Sequence, residues 1–176
     1  MRIAVRTIAA IIAVAPLAHA QTLAPTPAPV PEAMPFDIPY GTPISMDEAH
    51  KAIMGAVTEA KKHNWKMSIS VVDPAGELIA HATMDGTQYG SIAISQAKAR
   101  TAALFRRPSG VFQAGVNTGG SPSLLSLLPM NGAVASEGGF PIVIDGKLVG
   151  AIGASGGVFT QDAVVAKAGL EAAGGK

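Results

Sequence analysis

Two stretches that read as hairpins, one on each side of a short Ala-rich helical run, constrain this chain more than any other feature. The first spans residues 68–86, SISVVDPAGELIAHATMDG, and the second residues 138–157, GGFPIVIDGKLVGAIGASGG. Each alternates apolar with small or polar residues around a turn signal, Asp73-Pro74-Ala75-Gly76 in one and Asp145-Gly146 in the other. Alternation with period two is the mark of a strand, and an Asp-Gly pair accepts the positive φ angles of a tight hairpin. Between the two lies QAKARTAALF, the end of a helix expected over residues 89–105.

Another helix precedes the first hairpin. Ser45 and Glu48 have the spacing of a capping box, and Ala49, Ala52, Ile53, Ala56, Val57 and Ala60 follow at helical spacing. The helix should end near His63-Asn64. From Trp65 the period becomes two: Met67, Ile69 and Val71 point one way, Ser68, Ser70 and Val72 the other. Residues 117–122, NTGGSP, are a loop by composition, and the apolar run after them suits a helical turn or a buried lid. Residues 133–136 are expected to form a third strand, 140–144 and 147–154 a fourth and fifth, and 162–173 a closing helix. The sum is an α+β fold, an antiparallel five-stranded sheet flanked by helices.

The N-terminal region reads differently. Arg2 and Arg6 precede an apolar run over residues 8–17 and the small-x-small site Ala18-His19-Ala20, the pattern of a secretory signal over residues 1–20. That run is about half of the ~20 residues a membrane-spanning helix needs, so no stable membrane insertion is expected after cleavage. The expected location is periplasmic or secreted. Residues 21–43 hold Pro25, Pro27, Pro29, Pro31, Pro35, Pro39 and Pro43 and read as an extended linker, leaving residues 44–176 as the folded domain. The chain has no Cys, which excludes disulfides, thiolate nucleophiles and Cys-based metal sites. A net charge of +1 and no basic stripe argue against nucleic acid as a partner.

The hairpin word at residues 68–86, the helix QAKARTAALF, Gly138-Gly139-x-Pro141, and VGAIGASGG followed by Gln161-Asp162 together resemble the GlcG/HbpS-like family, also described as a haem-degrading domain family. They are similar as well to the C-terminal domain of PduO-type corrinoid adenosyltransferases. The resemblance covers about three quarters of the chain. It implies a profilin-like fold, assembly into homo-oligomers that are often octamers, and a haem cofactor that some members degrade. One departure stands out: Thr83 occupies a place where the family usually has Arg.

Haem iron takes an axial ligand, commonly a His nitrogen. Beyond the signal, His50, His63 and His81 remain, and His81 is the leading candidate because it lies in a strand beside Met84 and Asp85. Asp85 is placed to orient that imidazole. Thr83, Thr118 and Tyr89 offer oxygen alternatives. Propionates need cations, and Lys98, Arg100, Arg106 and Arg107 cluster in and after the second helix. A pocket is expected between the sheet and residues 117–130, with Leu124, Leu125, Leu127 and Leu128 as apolar walls.

Competing readings are narrower. The glycine run at residues 150–157 lacks the Lys and Ser/Thr of a phosphate loop, and Ser155 has no acid and His in a plausible order for a hydrolase. Close packing explains those glycines better. The leading expectation is an exported haem-binding protein that captures, buffers or degrades its ligand. The alternatives are a binding module for a corrinoid or another small ligand, and a ligand-free assembly domain.

Overall fold

The computed structural model describes residues 30–119 and 122–176, with the side chains of residues 122–125 left aside. The expected export signal and the first part of the Pro-rich linker lie outside the described residues. All named elements fall in one compact unit, Met34–Lys176.

Their order is α1 (Met46–Lys62), β1 (Ser68–Val72), β2 (Leu78–Thr83), α2 (Gly90–Phe105), α3 (Gly110–Asn117), α4 (Pro122–Met130), β3 (Gly139–Ile144), β4 (Lys147–Ser155) and α5 (Phe159–Ala172). The capping box forms: the Glu48 amide donates to Ser45 Oγ at 3.2 Å, and the Ser45 amide donates to the Glu48 carboxylate at 3.0 Å. Both hairpin turns follow their glycines. Gly76 takes φ +81°, and Asp145 and Gly146 take +50° and +73°, the paired left-handed conformation of a two-residue hairpin loop.

The four strands form one antiparallel sheet in the order β2-β1-β4-β3. The described residues hold four strands where five were expected, which corrects the expectation at residues 133–136. Residues 133–136 run irregularly because side chains in other elements take up their backbone groups. The Val134 amide donates to Thr101 Oγ1 at 2.8 Å, and the Ser136 carbonyl accepts from Ser109 Oγ at 2.6 Å. The closing helix also starts earlier than expected, at Phe159, so Asp162 sits within its first turn and does not cap it.

Helices cover both faces of the sheet. α1 and α5 pack on each other and on one face, and α2 packs on β4, β1 and β3 across the other. Double cover explains why all of β1 and all of β4 from Gly150 onward are buried. Met67, Ile69, Val71, Ile142 and Ile152 build the larger core with α1 and α5. The α2 side is thin and small: Val72 and Ala151 against Ala99, Ala102 and Ala103. Glycine makes that thinness feasible, since a Cβ at Gly139 would meet the Lys98 carbonyl and one at Gly153 the Ser95 carbonyl. The glycine run is therefore a packing device, as its composition suggested.

The end of the Pro-rich stretch is tied down. β1 pairs with β4 only from Ala151 to Ser155. On the side of β4 so vacated, Leu148 donates to the Pro39 carbonyl and accepts from the Gly41 amide, both at 2.8 Å, and the Ile44 amide donates to the Val149 carbonyl at 2.7 Å.

Candidate functional site: the open face of strand β2

Because α2 lies over β4, β1 and β3, the same face of the edge strand β2 is left largely open. His81 projects there. Its register partner is Ser70 in β1, and both face the α2 layer. The imidazole is half-buried and held at both nitrogens: Nδ1 lies 2.9 Å from Ser70 Oγ, and Nε2 lies 2.8 Å from Thr83 Oγ1. Ser70 Oγ lies 2.8 Å from Ser95 Oγ of α2, and Thr83 Oγ1 lies 3.1 Å from Ser68 Oγ. Burial pulls the His81 pKa below the usual histidine value, so the ring is neutral at neutral pH. A neutral imidazole is the form that binds a metal or accepts a proton.

Alongside runs one flank of α2. Ile92, Gln96 and Arg100 repeat at four-residue spacing, and Arg100 Nη2 reaches Glu77 Oε1, just before β2, at 3.2 Å. The strip between this flank and β2, called the trough below, is bordered by the half-buried imidazole and the exposed Leu78 on the strand, and on α2 by Arg100, held at Glu77. Of the residues singled out in the sequence, His81 and Thr83 meet here, and Arg100 stands on the facing flank of α2.

The others lie elsewhere. Lys98 is fully buried: its Nζ donates to Asp162 Oδ2 at 2.6 Å and to the Ala154 carbonyl at 3.1 Å. Its expected role as a propionate partner is corrected, because this ammonium is spent between layers. Arg107 lies over the rings of Phe36, at 4.3 Å, and Phe112, at 4.9 Å, with its Nε donating to the Phe105 carbonyl. Arg106 donates to the Ile38 carbonyl at 3.0 Å. These two arginines clamp the incoming segment. His50 is exposed on α1, and His63 stacks on Trp65 at 4.2 Å and meets Glu59 at 3.1 Å. Asp85 does not orient His81, whose nitrogens both meet hydroxyls. It instead lines a separate cleft.

That cleft, of about 480 Å3, opens between α1 and the end of β2. Ile53, Met54, Val57 and Met84 form its apolar wall, with Lys61, Lys66, Thr83 and Asp85 at its rim. Near the expected pocket beside residues 117–130, a cleft of about 370 Å3 opens between α3 and β3, lined by Gln113, Asn117, Glu137 and Phe140, but the described leucines do not wall it. Leu128 is buried against Phe112 and Ala133, and Leu127 points outward.

Sequence reasoning missed Ser70 and Ser95 as parts of the site. The available signal was small: a serine on the inward face of each element, at a position where an apolar residue would serve packing better.

A family model described as haem degrading protein HbpS-like matches residues 44–171, and the chain belongs to that family. Protein GlcG of Escherichia coli is 42% identical over 112 residues, covering 64% of this chain and 81% of GlcG. Among solved structures, protein ORFY of Klebsiella pneumoniae shares the fold with a TM-score of 0.71 at 24% identity, covering 84% of this chain and 98% of that one. A complex of PduOC with heme has a TM-score of 0.68 at 25% identity, covering 74% of this chain and 95% of that one.

Proposed function

We propose that this protein is an exported haem-binding protein that captures or buffers the tetrapyrrole in the trough along β2, with His81 Nε2 as the nitrogen that would hold its iron. The observation that carries the reading is a half-buried imidazole, fixed at both nitrogens by hydroxyls, on a strand face that the described helices leave open. The family description and the heme complex of PduOC support the choice of ligand. Bound haem would supply an iron centre for ligand exchange and redox chemistry. The chain's own part would be to hold it, with Arg100 as the cation for a propionate and Leu78 and Ile92 as apolar contacts for the macrocycle. Thr83, being exposed, yields its place at Nε2 by rotation about one bond. The reading includes self-association into a higher oligomer, in keeping with an edge strand that carries the exposed Leu78.

His81→Ala removes the nitrogen and leaves the strand pairing intact. It should abolish the shifted Soret band that haemin gives with the wild-type chain, as read by absorbance. An unchanged band would remove His81 from the site.

A second reading is favoured by the cleft between α1 and β2. Its apolar wall and two rim lysines suit an organic acid or another small anionic ligand, and the His81→Ala change would leave such binding untouched.

A further inference from the structure

We propose that the buried hydroxyls behind His81 select its tautomer, placing the ring proton on Nδ1 and leaving Nε2 unprotonated, its lone pair accepting from the exposed Thr83 hydroxyl. The inference deepens the haem reading and rests on it for the identity of the ligand. Its own content, which nitrogen bears the proton, stands on the geometry alone.

Five contacts form a continuous line. The Ile92 carbonyl lies 2.9 Å from Ser95 Oγ, and Ser95 Oγ lies 2.8 Å from Ser70 Oγ. Ser70 Oγ lies 2.9 Å from His81 Nδ1, His81 Nε2 lies 2.8 Å from Thr83 Oγ1, and Thr83 Oγ1 lies 3.1 Å from Ser68 Oγ. Each hydroxyl has one proton to give, and a neutral imidazole has one. The carbonyl at one end can only accept, which sets the direction. Ser95 donates to Ile92, so Ser70 donates to Ser95 and His81 Nδ1–H donates to Ser70. Thr83 then donates to Nε2, and Ser68 donates to Thr83. Every contact becomes a hydrogen bond.

Reversing the line leaves Ser95 donating to Ser70 and the contact with Ile92 without a proton. Ser70 and Ser95 are both fully buried, so solvent does not reach either hydroxyl to make good the difference. The tautomer is thus inferred from the hydrogen-bond network, as such assignments must be. Ser70 and Ser95 are positioning residues: neither reaches the trough, and both act through the ring. A histidine that ligates a metal through one nitrogen and donates from the other to a fixed acceptor holds its orientation and gains basicity. In this chain a chain of hydroxyls, ending on a helix carbonyl, fills the part usually played by a carboxylate.

Ser95→Ala is the discriminating change. It removes the acceptor of the Ser70 proton, which then has His81 Nδ1 as its partner. The ring proton must move to Nε2 and donate to Thr83, while Thr83 donates to Ser68. Orphaning a buried hydroxyl is unfavourable enough to turn the tautomer ratio by on the order of tenfold.

The experiment is a long-range proton–nitrogen correlation at neutral pH on the full chain labelled at histidine nitrogen, without haem. The His81 ring is assigned by its loss in His81→Gln. The wild type should show Nδ1 protonated and Nε2 bare. Ser95→Ala should show the reverse, and Ser95→Thr, which restores a hydroxyl, the wild-type pattern. A wild-type ring protonated at Nε2, or a pattern unmoved by Ser95→Ala, overturns the proposal, and a merely structural serine would give the second result. Haemin titration of the same proteins separates the two readings. Ser95→Ala should weaken binding about tenfold or more. The predicted tautomers together with no saturable haem binding would uphold the inference and overturn the haem assignment.

Discussion

Lys98→Met should destabilise the protein by about 3–5 kcal/mol in denaturant unfolding, a large part of the stability of an ordinary domain. Lys98 starts in the α2 layer and passes the end of β3 to reach Asp162 in the first turn of α5, so one ion pair joins the two helical layers through the sheet. Gly138 opens the passage: it takes φ +115°, and a Cβ there would lie 2.8 Å from Asp162 Cβ and 3.1 Å from Lys98 Nζ. Removing the ammonium leaves a buried carboxylate with backbone donors alone, such as the Gly157 amide at 3.0 Å.

The penalty should depend on pH with a definite sign. Burial pushes the Asp162 pKa up, and Lys98 opposes that rise. In Lys98→Met the opposition is gone, so the folded state holds its proton more tightly than the unfolded chain. Stability from a raised pKa is fully present below the unfolded value of 3.8 and is lost as pH rises through the folded one. The deficit against wild type should therefore be smallest in acid and grow toward neutrality. Asp162→Asn should show the opposite trend. It strands an ammonium whose pKa burial already lowers from 10.5, and that deficit should shrink as pH rises. Lys98→Met/Asp162→Asn leaves no buried charge and should cost less than the sum of the single changes. Additive losses would show that the pair acts as two independent side chains.

The second large effect is Gly153→Val. A Cβ at that position would meet the Ser95 carbonyl and lie 2.6 Å from the Ala99 amide nitrogen, both of them backbone atoms of α2. A helix backbone does not yield as a side chain does, so α2 must lift from β4. A loss at or above ~3 kcal/mol is expected, the upper end of ordinary overpacking. Ser95 would be drawn away from Ser70 at the same time, so haem binding should fall with stability. Gly90→Ala is the control. Nothing lies within 4 Å of the added Cβ, and the change in the first residue of α2 should leave the unfolding midpoint in place or raise it. Equal midpoints for Gly153→Val and wild type would refute the account of the thin layer.

What the sequence disclosed follows from where each signal resides. The capping box of α1 and the Asp145-Gly146 turn are local, so residues three apart or adjacent were enough to read them. The supposed strand at residues 133–136 failed for a tertiary reason: its backbone partners are the hydroxyls of Thr101 and Ser109, which no local pattern reveals. Lys98 looked like one of a basic surface cluster with Arg100 and Arg107. Yet Ser91, Ser95, Lys98 and Ala102 recur at helical spacing along the buried stripe of α2, and that position could have separated Lys98 from its neighbours. His81 was legible as a histidine in a strand. Its partners were not, since Ser70 and Ser95 lie 25 residues apart and meet only when α2 settles on the sheet.

The central claim is that the trough along β2 binds haem. Haemin titration of the purified chain, followed by absorbance with and without reductant, tests it most directly. The account predicts a saturable Soret shift that moves again on reduction and is missing from His81→Ala. A linear, unshifted rise in the wild type, or saturation that His81→Ala leaves unaltered, would contradict it.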